Sequence, residues 1–344
     1  MPHSNGCARS RQGAQRRGGR GAIRCDLRRR RACAICGRRR EDGRRTGRRG
    51  YRRRCLEAGV AMSRLGLSIA ASLAIVLALF ASASPVDAWA RKGHRIIGLI
   101  ARDQLSPEAK AAVRQLMGSD DLPKFSLYLD LIKDDLQQQI PGSRAWHYDN
   151  VPVCKTKARD QYCHAGNCAS GQIARHHQLL RDAQEPNHRK HFAIFVITHL
   201  IGDVHQPLHA ADNDDRGGNR IEVQLTEGRK KEVNLHTAWD TSFIEQLFAG
   251  KNEQMVAKNL AEKFVTKSAE WRKGTVDAWI AESNEIAKAV TYAKLPGFAC
   301  GTQFGPARLP LTAEYVQAAE GIVEEQLAKA GYRLAHVLNL ALGE

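Results

Sequence analysis

Apolar residues recur at helical spacing along most of the chain after residue 89. In "SPEAKAAVRQLMG", Ser106 is a predicted N-cap, Pro107 occupies the first helical position and Gly118 follows the last one. The stretches "HFAIFVITHLIGDV", "HTAWDTSFIEQLFAG" and "AEWRKGTVDAWIAESNEIAKAV" also predict helices. The closing segment predicts one long helix, because apolar side chains return every three, four or seven residues at Val316, Ile322, Val323, Leu327, Ala330, Leu334 and Leu338.

The alternation of apolar and polar residues that is typical of a β-strand is confined to one region. The segment "NRIEVQL" alternates, and "KKEVNL" follows it across the turn-like "TEGR". We find no internal repeat and no linker after Trp89. The patterns therefore predict a mainly α protein, a single helical domain with a small β-hairpin over residues 89–344.

The first 88 residues have a different composition. Residues 1–61 contain few large apolar side chains, so we expect an Arg-rich, disordered leader, with Met62 as the true start of translation. From Met62 a basic start leads to an apolar run, Leu65 to Phe80, which predicts a signal peptide over 62–88, cleaved before Trp89. The alternative is a membrane anchor, but this run has sixteen residues and a spanning helix needs about 20.

The charge belongs to the leader. The formal net charge is +17, but residues 1–61 carry 20 arginines against four acidic residues, which leaves 33 basic and 32 acidic residues in the rest of the chain. The folded part is therefore nearly neutral. This balance argues against a long basic groove for duplex nucleic acid.

Four of the nine cysteines remain after residue 88, namely Cys154, Cys163, Cys168 and Cys300. An even number in an exported chain predicts two disulfides, with three possible connectivities. In the leader, Cys33 and Cys36 form a CxxC pair, but no second pair follows at zinc-ribbon spacing.

Histidines and aspartates cluster in "THLIGDVHQPLHAADND". His199 and Asp203 are four residues apart and project from one helix face, an arrangement that directs two ligands at one metal ion. Pro207 is expected to end the helix, which places His209 in the turn beyond it. We exclude His205 as a ligand because Pro207 breaks the helical geometry between it and His209.

Further candidates lie elsewhere in the chain. His236 and Asp240 repeat the four-residue interval, while His94, Asp130 and His147 lie upstream. Imidazole and carboxylate ligands without thiolates suit zinc in an oxidising compartment. Each candidate is weak alone, since a single histidine beside apolar residues is more often a hydrogen-bonded structural residue.

Together these motifs carry a family resemblance. The segments "WARKGH", "YLDLIK", "WHYDN", "HLIGDVHQPLH", "DRGGNRIEV" and "NLHTAWD" follow the order of the S1/P1 nuclease family, the zinc-dependent single-strand nucleases, and the similarity extends to "KAGYRLAHVLN". The resemblance implies a phospholipase C/P1 nuclease-like fold and an S1/P1 nuclease domain over residues 89–344.

The resemblance also implies three zinc ions. One is bound by the α-amino group and carbonyl of Trp89, after signal cleavage, with His94 and Asp203. Asp203 bridges to a second zinc, which is held by Asp130, His147 and His199. The third zinc lies on His209, His236 and Asp240. The same resemblance selects the disulfides Cys154–Cys300 and Cys163–Cys168.

The implied activity is hydrolysis of single-stranded DNA and RNA to 5′-phosphate products, with 3′-nucleotidase action on mononucleotides as a second implied activity. Paired metal ions lower the pKa of a shared water and produce a bridging hydroxide near neutral pH. The implied catalytic residues are Asp130, Lys133 and Asp203, although family members often carry arginine where this chain has Lys133. Tyr148 corresponds to an aromatic that stacks on a base, and Asn150 to a residue that reads the base edge.

Two other functions are compatible with parts of this sequence. Zinc-dependent phospholipase C resembles the same family, but its second histidine pair ends in glutamate, whereas this chain has Asp240. A non-catalytic exported protein, with zinc only stabilising the fold, is the second alternative. We expect an exported, periplasmic or secreted monomer without stable membrane association after cleavage.

Overall fold

A computed structural model describes residues 89–225 and 232–343 of the protein. The predicted leader and signal peptide, and the turn "TEGR", lie outside the described residues. No helix within the described ranges is long and apolar enough to span a bilayer.

The described chain is mainly helical, as the patterning predicts. The α-helices are α1 (Ala90–Asp103), α2 (Pro107–Met117), α3 (Leu122–Phe125), α4 (Tyr128–Leu131), α5 (Lys133–Gln139), α6 (Ala169–Arg181), α7 (Asn187–Asp203), α8 (Leu235–Thr237), α9 (Phe243–Leu247), α10 (Glu253–Lys263), α11 (Ser268–Trp271), α12 (Val276–Ile286) and α13 (Ala313–Leu342). Short 3₁₀ turns cover Ser143–His147, Arg159–Gln161, His164–Gly166, Pro207–His209 and Val265–Lys267, and π-helical turns cover Ala238–Ser242 and Ala287–Tyr292.

The predicted hairpin is present, and a third strand joins it. Strand β1 (Glu222–Leu225) pairs antiparallel with β2 (Glu232–Asn234), with Val223 opposite Val233. Strand β3 (Leu309–Leu311) pairs in parallel with the other edge of β1, giving the order β2-β1-β3. Patterning could not identify β3, because three residues with a central proline carry no alternation signal.

Local capping chemistry sets the helix ends. The Ser106 hydroxyl accepts a hydrogen bond from the Ala109 amide, and Gly118 closes α2 with φ +75°, so both predicted ends of this helix are confirmed. Helix α7 ends at Asp203, four residues before Pro207. The reason is that proline restricts Gln206 to extended backbone (φ −84°, ψ 118°), so the preceding turn cannot remain α-helical.

Two predicted helices are interrupted. The stretch "HTAWDTSFIEQLFAG" passes through a π-helical turn over Ala238–Ser242. The stretch "AEWRKGTVDAWIAESNEIAKAV" ends one helix at Trp271 and begins the next at Val276, capped by the Thr275 side chain. A positive φ of 86° at Gly274 makes this break, which the apolar spacing alone does not reveal.

The core lies around α13, which packs against α1, α7 and α6. Buried apolar residues on its inner face include Val323, Leu327, Ala330, Leu334 and Leu338, in agreement with the predicted stripe. Buried polar side chains follow the same helix. Arg333 donates to the Trp271 carbonyl at 2.7 Å and pairs with Glu282 at 2.9 Å, so its charge is compensated inside the protein.

Both disulfides implied by the resemblance are present. Cys154 is bonded to Cys300, and Cys163 to Cys168. The first bond joins the segment before α6 to the segment that leads to β3, and its cysteines have a sequence separation of 146. Closing so long a loop removes much of the conformational freedom of the unfolded chain.

We predict opposite stability effects for two glycines of α13. A Cβ on Gly331 would lie 2.5 Å from Cγ2 of Ile100 in α1, whereas a Cβ on Gly321 would meet nothing within 4 Å. Gly331→Ala should lower the free energy of unfolding by about 1–3 kcal/mol through overpacking. Gly321→Ala should raise it by up to about 1 kcal/mol, because alanine favours helix. Urea unfolding of both variants measures this, and equal shifts would contradict close α1–α13 packing.

Candidate metal centre

The C-terminal end of α7 brings the predicted ligands together. His199 and Asp203 lie one helical turn apart, both fully buried, with His199 Nε2 3.2 Å from Asp203 Oδ2. The carboxylate faces α1 on its other side, where His94 Nε2 lies 3.2 Å from Oδ1. The His94 ring stacks on that of His199, with centroids 4.1 Å apart. These three residues form the first triad, in which Asp203 lies between two imidazoles.

A second triad shares His199. It consists of Asp130 on α4, His147 at the end of a 3₁₀ turn, and His199. His199 Nε2 lies 3.0 Å from His147 Nδ1, and these nitrogens are 3.8 and 3.9 Å from Asp130 Oδ1. His147 Nδ1 also lies 3.0 Å from Asp203 Oδ2. The first two triads are therefore joined through both Asp203 and His199.

The third triad consists of His209, His236 and Asp240. His236 Nε2 lies 3.1 Å from Asp240 Oδ2, and His209 Nε2 lies 3.6 Å from Oδ1. The four-residue interval of His236 and Asp240 crosses from α8 into the π-helical turn. Gln206 donates to Asp240 Oδ1 at 2.6 Å and thereby orients this carboxylate. Sequence reasoning missed Gln206, since a buried amide has no signature in spacing.

Backbone carbonyls determine which ring nitrogen faces each cluster. Nδ1 of His199 donates to the Ser126 carbonyl at 2.6 Å, and Nδ1 of His209 to the His147 carbonyl at 2.7 Å. Nδ1 of His236 donates to the Gly217 carbonyl, also at 2.7 Å. Because a carbonyl only accepts, Nδ1 carries a proton in each ring, and Nε2 is the nitrogen that faces the cluster. Such outer hydrogen bonds are typical of metal-binding histidines.

Opposite charges lie close together in this buried site. Burial alone would lower the pKa of His199, but Asp203 and Asp130 raise it to about 9. Burial would also lower the pKa of His209, and Asp240 raises it to about 9. Burial opposes ionisation of Asp203, yet the surrounding histidines hold its pKa well below the usual value. The cluster therefore favours ionised carboxylates and attracts positive charge.

The donor atoms fit metal ions. Several are buried without any hydrogen-bond partner, namely His94 Nε2, Asp203 Oδ1, His209 Nε2 and Asp240 Oδ2. Atoms left in this way are costly unless something else binds them. Two donors at about 2.0 Å from one tetrahedral zinc ion lie about 3.3 Å apart, which is close to the separations within the triads.

Trp89 precedes α1 and is fully buried. Its indole Nε1 donates to the Gly202 carbonyl at 2.7 Å, and its backbone nitrogen lies 3.3 Å from Asp240 Oδ1. The backbone nitrogen is thus inside the cluster, beside a carboxylate of the third triad rather than one of the first. The implied ligation of Trp89 together with His94 and Asp203 stays a prediction.

Two other groups are not available to metal. His205 Nδ1 donates to the Ile201 carbonyl, and Nε2 lies 3.0 Å from an Arg333 guanidinium that only donates, so both ring nitrogens are occupied. This agrees with the exclusion of His205. Asp149, Cys163 and Cys168 also lie close together, but the sulfurs form a disulfide and Asp149 accepts from the Ser170 amide and hydroxyl.

A cleft of about 600 Å³ opens above the triads. The predicted substrate residues Lys133, Tyr148 and Asn150 all line it, beside Asp130 and three of the candidate histidines. Sequence reasoning did not single out four further lining residues, Arg144, Asp212, Arg216 and Asn219. The last three lie in or next to the "DRGGN" motif, to which the sequence analysis assigned no role.

The geometry agrees with comparisons to known proteins. A model of the S1/P1 nuclease family matches residues 89–343. The chain belongs to the S1/P1 nuclease family. It is therefore a hydrolase of phosphodiester bonds. Zinc dependence is general in this family, and the triads give this member candidate groups for such ions.

Curated relatives cover most of the chain. It is similar to Endonuclease 2 of Arabidopsis thaliana, 30% identical over 301 residues, which are 81% of this chain and 98% of the relative. It is also similar to Nuclease S1 of Aspergillus oryzae, 27% identical over 78% of this chain and 96% of the relative. Nuclease P1 of Penicillium citrinum is 28% identical over 73% of this chain and 97% of the relative.

We predict that Asp203→Asn reduces the zinc retained after dialysis by about half or more, because the neutral amide lacks the charge of a carboxylate whose two oxygens face histidines of two triads. Asp214→Asn is the matched control, since Asp214 is exposed and pairs with Lys155 at 2.6 Å. Elemental analysis of the purified proteins measures the metal content. Unchanged zinc in Asp203→Asn would show that this carboxylate is not a ligand.

Proposed function

We propose that this S1/P1 family member is a three-zinc phosphodiesterase that hydrolyses single-stranded DNA and RNA and leaves 5′-phosphates, with 3′-nucleotidase activity on mononucleotides. The observation that carries the proposal is the convergence of three histidine–aspartate triads below one cleft that Tyr148 also lines. The ligands are those implied by the resemblance: Trp89, His94, Asp130, His147, His199, Asp203, His209, His236 and Asp240.

Bound zinc ions would lower the pKa of water and neutralise phosphate charge. The chain itself supplies the positioning. Asp203 lies between His94 on one side and His147 and His199 on the other, so it holds the first two triads at a fixed separation. Lys133 begins α5, just after Asp130, and its ammonium would hold a non-bridging oxygen of the scissile phosphate. A lysine there acts as a point charge, without the bidentate grip of arginine.

Substrate recognition would rest on Tyr148 and Asn150. Tyr148 is partly buried beside the triads, and its ring offers a face on which an unpaired base stacks. The Asn150 amide can donate to and accept from a base edge. Bases in a duplex are already stacked and paired, so this recognition favours single strands.

Features typical of an exported protein support the same proposal. Two disulfides are typical of an oxidising compartment, and the proposed domain begins at Trp89, where the signal peptide is predicted to be cleaved. We infer a periplasmic or secreted monomer that does not stay bound to membranes. Nearly equal numbers of basic and acidic residues in the mature chain leave the metal centre itself as the main attraction for phosphate.

We predict that the zinc-loaded protein cleaves a labelled single-stranded oligonucleotide to products with 5′-phosphate ends, and that a chelator abolishes cleavage. Tyr148→Ala should weaken single-strand affinity by about 1–3 kcal/mol through lost stacking. Gel analysis of the product ends and fluorescence anisotropy measure the two effects.

Tyr162→Ala is the control for this prediction, because Tyr162 is also partly buried but does not line the cleft. If the zinc-loaded protein leaves nucleic acid intact and hydrolyses phosphatidylcholine, the phospholipase C alternative replaces this proposal. If zinc removal unfolds the protein and no phosphodiester is cleaved, zinc is only structural.

We predict that activity requires removal of the segment before Trp89. Only a free amino terminus offers an amine ligand, since the nitrogen of a peptide bond has no available lone pair. Ala88→Leu enlarges the residue before the expected cleavage point and should block processing, with loss of zinc and of activity. Asp87→Asn serves as the control. Mass spectrometry identifies the N-terminus, and full activity in an unprocessed Ala88→Leu protein would contradict this role of Trp89.

A further inference from the structure

The turn "DDRGG" is held in an unusual backbone conformation at the edge of the cleft. Four of its residues have positive φ, namely Asp214 (62°), Arg216 (60°), Gly217 (59°) and Gly218 (80°). Positive φ is strained for arginine, so the surrounding contacts must stabilise this conformation. The side chain of Arg216 lines the same cleft as the triads.

Hydrogen bonds, two of them fully buried, fix the turn. Asp212 Oδ1 accepts from the amides of Asp215 and Gly217, at 3.1 and 3.0 Å. Asp215 Oδ1 accepts from the Gly218 amide at 2.8 Å and from the Tyr292 hydroxyl at 2.9 Å. A Cβ on Gly217 would lie 2.5 Å from the Leu208 carbonyl oxygen, so the backbone approaches closely there. The turn therefore presents Arg216 from a rigid support.

The turn is also connected to the metal centre. The Gly217 carbonyl, one residue after Arg216, accepts the hydrogen bond that orients His236 of the third triad. Arg216 itself is exposed, whereas His209 and Asp240 of that triad are buried. Arg216 thus lies at the rim of the cleft, directly beside one of its three clusters.

Ion pairing distinguishes Arg216 from Arg144, the other arginine that lines the cleft. Arg144 also lines the cleft, but it pairs with Asp134 at 2.5 Å. Arg216 forms no ion pair with a carboxylate of residues 89–225 or 232–343. Tyr148 and Arg216 line the same cleft. A strand stacked on Tyr148 would therefore bring its backbone within reach of the Arg216 guanidinium.

We propose that Arg216 binds a non-scissile phosphate of the single strand, next to the phosphate held over the triads, and so favours oligonucleotides over minimal diesters. This inference rests on the proposed nuclease function. Lys133 is assigned to the scissile phosphate on the Asp130 side of the cleft. Arg216 lies on the His236 side, where the adjacent phosphate of a strand crossing the cleft would pass.

The test compares two substrates for the zinc-loaded enzyme: a dinucleoside monophosphate, whose single phosphate is scissile, and a single strand of about ten nucleotides. Arg216→Ala should raise KM for the longer strand about tenfold and leave kcat/KM for the dinucleoside unchanged. Alanine retains Cβ at the positive φ, so the backbone strain is the same in both proteins. Arg216→Lys should recover part of the loss.

The matched control is Arg220→Ala. Arg220 lies four residues away on the same loop, and its guanidinium donates to the Asp214 carbonyl at 3.2 Å, but it does not line the cleft. This variant changes the net charge equally and should behave like the wild type. In anisotropy measurements with a phosphorothioate strand that resists hydrolysis, Arg216→Ala should also reduce the slope of log affinity against log salt by about 0.7.

The outcomes distinguish a failure of the Arg216 proposal from a failure of the proposed nuclease function. If the wild type cleaves the strand and Arg216→Ala affects both substrates equally, or neither, the assignment of Arg216 is wrong while the nuclease function holds. If the wild type cleaves neither substrate, the proposed function fails. The phosphorothioate measurement then decides on Arg216 alone, because an unchanged salt slope would overturn the phosphate contact.

Discussion

The site depends on one buried carboxylate. Asp203 is fully buried and faces His94 through one oxygen and His147 and His199 through the other. A carboxylate in such a place needs compensating positive charge, since desolvation is costly. Part of this charge comes from His199, whose pKa is raised to about 9 by Asp203 and Asp130, and a bound cation would add to it. The same carboxylate that is costly to bury therefore favours a cation at this centre.

Much of the helical framework was predictable, because the information that specifies it is local. Ser106, Gly118 and the apolar face of α13 agree with the structure, as does the pairing of β1 and β2. Strand β3 and the break at Gly274 were not predictable, since one depends on a distant partner and the other on a single backbone angle. The metal-ligand candidates were identified through their spacing and the family resemblance together.

Residues that act through hydrogen bonds were harder to identify. Gln206 orients Asp240, and the carbonyls of Ser126 and Gly217 fix the histidine tautomers. A backbone carbonyl has no residue identity, so no motif encodes it directly. Glycine is the partial exception, because Gly217 adopts a positive φ and meets the Leu208 carbonyl closely. The "DRGGN" motif therefore encodes a backbone shape that serves the site.

The buried helical residues and the residues that line the cleft outside them have different tasks. The residues of α4 and α7 and the π-helical turn after α8 hold charge at fixed positions, which suits chemistry common to any phosphodiester. Tyr148 and Arg216 line the cleft outside these triads, where, on the proposed function, they would contact the parts of the strand next to the reacting phosphate. Because these two side chains lie outside the buried triads, their replacement would alter substrate binding without disturbing the carboxylates. If both residues contact the substrate as proposed, substrate preference would vary through the turn and the residue after His147, while the buried centre stays the same.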